Sequence, residues 1–164
     1  MFYGDSMVID RQAIRAILLT PQNEVLLMRI RIPDTPLPFW ICPGGGMEAG
    51  ERPEIALQRE LQEELGLASF ELGPLVWRRR HTFNFSGKRL CQTEGYHIVQ
   101  VEKFEPVISD PVEMQVFQKF HWWSLSEMKS SNERVTPLSL VKIIEDFLKY
   151  GAPRGELELE VLVD

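Results

Sequence analysis

Three glutamates, Glu60, Glu63 and Glu64, stand at positions i, i+3 and i+4. On a helix that spacing sets all three carboxylates on one face. Leu57, Leu61 and Leu65 form a second stripe, about 100° around the same axis. One stripe can bury against a sheet while the other looks into a cleft. Like charges on one helix face repel by roughly 0.2–0.5 kcal/mol per pair, and a cation offsets that cost. Oxygen-only ligands suit a hard divalent ion such as Mg²⁺ or Mn²⁺, whereas zinc favours Cys or His. Taken alone, a Glu-rich helix is more often just a solvated one.

The local sequence supplies the elements that would position these carboxylates. Pro53 suits a first helical turn, where its missing N–H has no partner to lose. Strong helix formers run from Glu54 to Leu65, and Gly66 stands where a glycine usually ends a helix. Ahead of the helix, Gly44, Gly45, Gly46 and Gly50 allow a tight loop whose backbone can approach a ligand closely. Glu51 and Arg59 can pair to brace that loop against the helix.

Gly45, Glu51 and the run Arg59-Glu60-Leu61-Gln62-Glu63-Glu64-Leu65-Gly66-Leu67 resemble the Nudix box. The resemblance implies an α/β (α+β) Nudix fold, a mixed β-sheet sandwiched between helices with a catalytic loop–helix–loop. It implies hydrolysis of a diphosphate linked to another moiety, with Mg²⁺ or Mn²⁺ as cofactor. Carried over, Glu60, Glu63 and Glu64 are metal ligands, with the Gly45 carbonyl a further one. Arg59 orients a glutamate, so that Arg59, Glu60 and Glu63, with Glu113, form the catalytic set. Glu51 is structural. The family often adds a glutamate from a later loop as base or ligand; Glu113 fits that place, with Glu94 in reserve.

The chain has 164 residues, enough for a single domain with a proper core, with 1–10 as a lead and 152–164 as a tail. Its net charge of −6 argues against a nucleic-acid polymer, whose binding needs clustered Lys and Arg. A small anionic nucleotide or other diphosphate stays compatible, because a bound metal inverts the local field. Cys42 and Cys91 lack CxxC spacing and read as free thiols. No apolar run reaches the roughly 20 residues of a membrane span, and the first residues lack a secretory pattern. A cytoplasmic protein without a membrane partner is the expectation.

In chain order, residues 11–20 and 24–31 read as a hairpin of two doubly covered strands about Pro21-Gln22-Asn23. Arg29 and Arg31, at the end of the second run, could reach a phosphate. Residues 32–43, rich in proline, read as a loop, and Trp40 beside Phe39 can stack on a base. Strands follow near Phe70–Leu72, over 75–85 and over 89–104, the last two joined by a turn at Ser86-Gly87-Lys88. Trp77, His81, Phe83 and Phe85 share one face, and Arg78, Arg80, Thr82 and Asn84 the other. Arg80, from the chain's dense basic run, is a phosphate candidate, and Glu94 either faces the cleft or pairs with an arginine of the neighbouring strand. His81 and His97 read as sheet histidines. A strand over 117–123 ends at Ser124, which caps a short helix. Thr136-Pro137 then opens a helix stopped by Gly151, covering the sheet opposite the box helix. The alternating tail leaves three ends open: an edge strand, pairing with a second subunit in a homodimer, or no fixed structure.

Substrate follows by exclusion within the resemblance. Leu18-Leu19-Thr20 leads into Pro21-Gln22, unlike the LLTxR pattern of coenzyme A-type members. No SQPWPFPxS-like stretch follows the box, and Pro74 stands too early for the downstream proline of ADP-ribose members. A nucleoside triphosphate, cleaved to monophosphate and pyrophosphate, is the default. The alternatives are ADP-ribose or another nucleotide sugar, a nucleotide-sensing module without turnover, and a prenyl-diphosphate isomerase using Cys42.

Overall fold

A computed structural model describes residues 7–33, 35–109 and 113–164, apart from the side chains of residues 113 and 114. Strand β1 (Val8–Leu19) is apolar from Ala13 onward except at Arg15, and that stretch is covered on both faces. The strands β2 (Val25–Ile30), β3 (Phe39–Ile41) and β4 (Gly44–Gly46) lead into helix α1 (Pro53–Leu65). The long hairpin of β5 (Leu75–Phe85) and β6 (Lys88–Gln100) follows. Then come α2 (Glu113–Val116), β7 (Phe117–Trp123), α3 (Leu125–Ser130), β8 (Val135–Thr136), α4 (Leu140–Tyr150) and β9 (Leu159–Val163).

The sheet is mixed and has two halves. β1 runs parallel to β6 from Val8↔Arg89 to Leu19↔Gln100, and antiparallel to β4 through Ala13↔Gly46. The β5 strand pairs with β6 and, on its other edge, parallel to β9. In the second half, β2 lies between β3 and β7, and β8 extends β3. The halves meet at Leu19↔Val25. Here the expected hairpin over 11–20 and 24–31 is corrected: the turn reverses the chain, with Asn23 at φ 61°, but β2 then diverges. Both hydrogen-bonding edges of β1 are occupied, one by β6 and one by β4, so β2 takes other partners.

The sheet lies between helices, as the fold class requires. Ala56, Leu57, Leu61 and Leu65 of α1 bury one stripe against Ile14, Ala16, Leu18, Leu26 and Val99. On the opposite face, Leu140, Ile143 and Ile144 of α4 pack with Ile17, Leu27, Trp40, Ile98 and Trp123. Residues one apart on β1 therefore serve different cores, as the two-residue period of a strand dictates. α1 ends at Gly66, whose φ of 70° and N–H to the Gln62 carbonyl make a left-handed cap.

Four local expectations need correction. The proline-rich stretch 32–43 contains β3, because Trp40 needs a place in the core and its neighbours can pair with Met28–Ile30. No strand forms at Phe70–Leu72, where Phe70 and Leu72 pack beside α1 from irregular chain. β6 ends at Gln100, short of 104. Helix α4 starts at Leu140, not at Thr136-Pro137; Thr136 lies in β8 opposite Ile41, and its hydroxyl accepts from Arg79 Nη1 at 2.6 Å, so it is not available as a cap. The hairpin turn held: Ser86 and Gly87 both have positive φ, 51° and 77°, as a two-residue type I′ turn demands. The tail takes the edge-strand course as β9.

Ser124 caps α3 with a reciprocal pair. Its hydroxyl accepts from the Glu127 N–H at 3.1 Å, while the Glu127 carboxylate accepts from the Ser124 N–H at 2.9 Å. Ser124→Ala is expected to destabilise the fold by about 1 kcal/mol. Thermal unfolding should show a fall of roughly 2–4 °C.

Candidate active site

The loop Gly44–Gly46 is stitched to both β1 and α1. The Gly44 N–H donates to Glu64 Oε1 at 2.8 Å, and its carbonyl accepts from Arg15 Nη1 at 3.2 Å. Arg59 Nη2 donates to the Gly46 carbonyl at 3.1 Å. Between them, Gly45 approaches Glu60 so closely that an added Cβ would stand 2.6–2.7 Å from its carboxylate. This is the position where a side chain is excluded by the site itself. Gly45→Ala should push the Glu60 carboxylate aside and lower turnover about 10²-fold, the size of effect a roughly 1 Å misplacement can have. Steady-state kinetics on the folded variant checks it.

Arg59 bonds two glutamates. It makes two bonds to the Glu51 carboxylate, at 3.1 and 2.9 Å, and one to Glu60 Oε1 at 3.0 Å. Glu51 also accepts from the Glu48 N–H at 2.9 Å, and these bonds, Arg59 first, hold its carboxyl below the usual range. Glu51 is thus a brace between loop and helix. Glu60 and Glu64 are both buried, and Glu63 is half-buried.

Among the described residues, no three His, Cys, Asp or Glu side chains stand together as a finished metal site. Glu60 is turned to Arg59 and Glu64 to the Gly44 amide. The donors still fit a hard divalent ion. They are all oxygens, two of the carboxylates are buried one turn apart on one helix face, and the Gly45 backbone lies against one of them. Arg59 offsets the Glu60 charge and the Gly44 N–H serves Glu64, and a divalent ion would offset the pair further.

A cavity of about 560 Å³ opens from Gly44, Gly45 and Glu64. It continues the α4-side face of β1 and β6, where apolar side chains give way to Arg15, Gln92 and Glu94. Phe39 and Ile41 line one side, and Phe83, Phe85 and Leu90 another. At its floor Glu94 is held from every direction. Its Oε1 accepts from Arg79 Nε and Nη2, at 2.9 and 2.6 Å, and from the Tyr96 hydroxyl at 3.2 Å. Its Oε2 accepts from Arg15 Nε at 2.8 Å and Gln92 Nε2 at 3.0 Å. Burial alone would raise its pKa; the Arg15 and Arg79 charges outweigh that and hold it at about 2. A carboxylate so committed is a poor proton acceptor, which removes Glu94 as a reserve base. It lines the cavity all the same.

The other substrate candidates move. Arg29 pairs with Glu133 at 3.1 Å and donates to Gln118, away from the cavity. Trp40 is 1% exposed and packs edge-on against Trp123, with ring centroids 5.1 Å apart; Phe39 lines the cavity in its place. Arg80 is exposed on the opposite face of β5. The arginine of this basic run that lines the cavity is Arg79, missed in the sequence although strand alternation groups it with Trp77, His81 and Phe83. Its cross-strand partner is Glu94. Glu113 begins α2, and its side chain lies outside the described residues. His81 faces the cavity and bonds Asp164 at 2.7 Å; His97 bonds the Gly73 carbonyl. Cys42 is fully buried in the α4-side core, and burial pushes its thiol up to about 12, so it is no acid/base group for an isomerase.

The family model for the NUDIX domain matches residues 10–146. Over 122 residues the chain is 28% identical to the RNA pyrophosphohydrolase of Sulfurovum sp. (strain NBC37-1), covering 68% of this chain and 75% of that protein. A 29-residue stretch, 18% of this chain, is 62% identical to the 8-oxo-dGTP diphosphatase of Proteus vulgaris and spans 26% of it. Among solved structures, a MutT NUDIX hydrolase from Burkholderia pseudomallei superposes with a TM-score of 0.62 at 22% identity, covering 83% of this chain and 96% of that one. At that identity the likeness shows the fold alone. Among the described residues, no helix is long and apolar enough to cross a membrane.

Proposed function

The chain belongs to the Nudix hydrolase family, and on that premise we propose that it hydrolyses a phosphoanhydride in a nucleotide, most readily a nucleoside triphosphate, releasing monophosphate and pyrophosphate. The observation that carries this is the junction of two features. The buried carboxylates of Glu60 and Glu64 face a glycine loop, and that loop opens on a cavity with aromatic walls.

Glu60, Glu63, Glu64 and the Gly45 carbonyl would hold Mg²⁺ or Mn²⁺. Such an ion supplies charge neutralisation on the phosphates and a lowered pKa for bound water. The chain's own residues do the rest. Arg59 fixes the Glu60 carboxylate against Gly45. Arg15 and Glu64 fix the Gly44 peptide from both ends, so the loop cannot swing away from the helix. A glutamate accepts the proton of the attacking water, work worth about 10²–10⁴ in rate; Glu63 and Glu113 are the candidates, since Glu94 is locked. The aromatic side chains Phe39, Phe83 and Phe85 offer faces on which a base can stack.

A cavity of about 560 Å³ is of a size for a mononucleotide, and the net charge of −6 favours a small anion with its metal over a long polymer. The names of the relatives include RNA pyrophosphohydrolase and 8-oxo-dGTP diphosphatase, so the test spans both. Products are resolved by ion-exchange chromatography after incubation with ordinary and oxidised nucleoside triphosphates, ADP-ribose, nucleotide sugars and 5′-triphosphorylated RNA. Monophosphate and pyrophosphate from the free triphosphates support the proposal. Preferential cleavage of ADP-ribose or of the RNA end would replace the substrate, and ligand binding without turnover would favour a sensing module.

A further inference from the structure

Arg11, Ala13 and Arg15 alternate along one face of β1, and the two arginines have opposite fates. Arg15 is consumed by Glu94 and by the carbonyls of Cys42 and Gly44. Arg11 also lines the cavity, yet among the described residues its guanidinium has no hydrogen bond or ion pair. It is not loose on the surface, however. A Cβ placed on Gly46 would lie 2.6 Å from Arg11 Nε and Nη2 and 2.9 Å from Cζ. The guanidinium is therefore laid against the Gly46 α-carbon, in space that only a glycine leaves open.

The backbone explains why it stays there. Ala13 pairs with Gly46, and the Met47 N–H donates to the Gln12 carbonyl at 2.8 Å. The side chain two residues before Ala13 stands on the same face and reaches the loop at Gly46. Its seat is one residue from Gly45, whose α-carbon faces Glu60. The aromatic side chains Phe83 and Phe85 stand on β5, two strands from Arg11 across β6. A planar cation with free N–H donors is suited to an oxyanion.

We propose that Arg11 is a substrate-binding residue whose guanidinium takes the phosphate oxygens of the nucleotide as they enter beside the Gly44–Gly46 loop. The assignment rests on the phosphoanhydride reading above. The family match covers Arg11 without giving it a role.

The test is equilibrium binding of a methylene-bridged nucleoside triphosphate, which cannot be hydrolysed, with and without Mg²⁺. Wild type, Arg11→Ala, Arg11→Lys and Arg134→Ala are compared; Arg134 is another exposed cavity arginine, next to β8. Arg11→Ala should bind about 10- to 100-fold more weakly, the worth of one charge-assisted contact, with a shallower dependence on salt. Arg11→Lys should recover part of the loss, because it keeps the charge without the fork. Arg11 is exposed, so the variants should melt with wild type. Unchanged binding in Arg11→Ala would overturn the assignment, as would an equal loss in Arg134→Ala, which would mark a general effect of cavity charge. Hydrolysis by wild type separates the two claims. If wild type cleaves triphosphates and Arg11→Ala binds normally, only the role of Arg11 falls; if wild type neither binds nor cleaves them, the functional reading falls and takes this one with it.

Discussion

Glu60→Gln is expected to abolish most turnover while leaving the fold intact. The amide keeps the volume of the carboxylate that lies against Gly45, and Arg59 keeps both of its bonds to Glu51. What disappears is one negative charge from a corner that also holds Glu64. If that corner exists to hold a cation and align water, kcat/KM should fall by about 10²–10⁴, as when a positioned catalytic group is lost. The melting temperature should change little, because losing the ion pair with Arg59 is offset by the relief of repulsion with Glu64. Raising Mg²⁺ or Mn²⁺ should restore part of the rate. Near-wild-type turnover would show that Glu60 serves the loop and not the reaction.

Glu94→Gln should act in the opposite way, striking stability first. Glu94 is 3% exposed and stands between Arg15 and Arg79. Neutralising it leaves two buried guanidinium groups without their counter-charge, a loss of about 3–5 kcal/mol. Arg15 also holds the carbonyls of Cys42 and Gly44, so the glycine loop should loosen along with the core. Urea unfolding at neutral pH should show the drop in midpoint. The pH dependence gives a second check. The folded-state pKa of Glu94, about 2, lies below its ordinary value of 4.5. Its contribution is therefore fully present above about pH 4.5 and is lost as pH falls toward 2, where the unfolded chain binds the extra proton first. Wild type should lose stability steeply across that window, and Glu94→Gln should show a shallower fall. Equal slopes would mean that Glu94 is not held as a carboxylate by the two arginines.

Local chemistry was legible in the sequence. The box helix, its glycine stop, the brace of Arg59 on Glu51 and Glu60, the turn at Ser86-Gly87 and the cap at Ser124 all rest on contacts within a few residues or on one repeating period. Pairing across long separations was not. Strand β1 finds its main partner in β6, which enters the chain some 80 residues later, and no local pattern selects that partner over β2. The same limit misplaced the arginines. Alternation puts Arg78 and Arg80 on one face and Arg79 on the other, but only the arrival of Glu94 across the hairpin shows which face turns inward. Trp40 misled because an aromatic beside a glycine loop suits stacking and core equally; the T-shaped contact with Trp123 decides for the core. Thr136-Pro137 carried a good local helix-start pattern, overridden once Arg79 took the hydroxyl. Arg11 gave no signal at all, since its meaning depends on Gly46 lying beside its guanidinium.

The central claim is that the face of α1 carrying Glu60, Glu63 and Glu64 hydrolyses a phosphoanhydride. The most direct measurement is release of phosphate and pyrophosphate from nucleoside triphosphates, in Mg²⁺ or Mn²⁺ and in excess chelator, by wild type and Glu63→Gln. Turnover by wild type that vanishes with the chelator and falls by about 10² or more in the folded variant is the result predicted. Turnover that survives both the chelator and the loss of the Glu63 charge would contradict it.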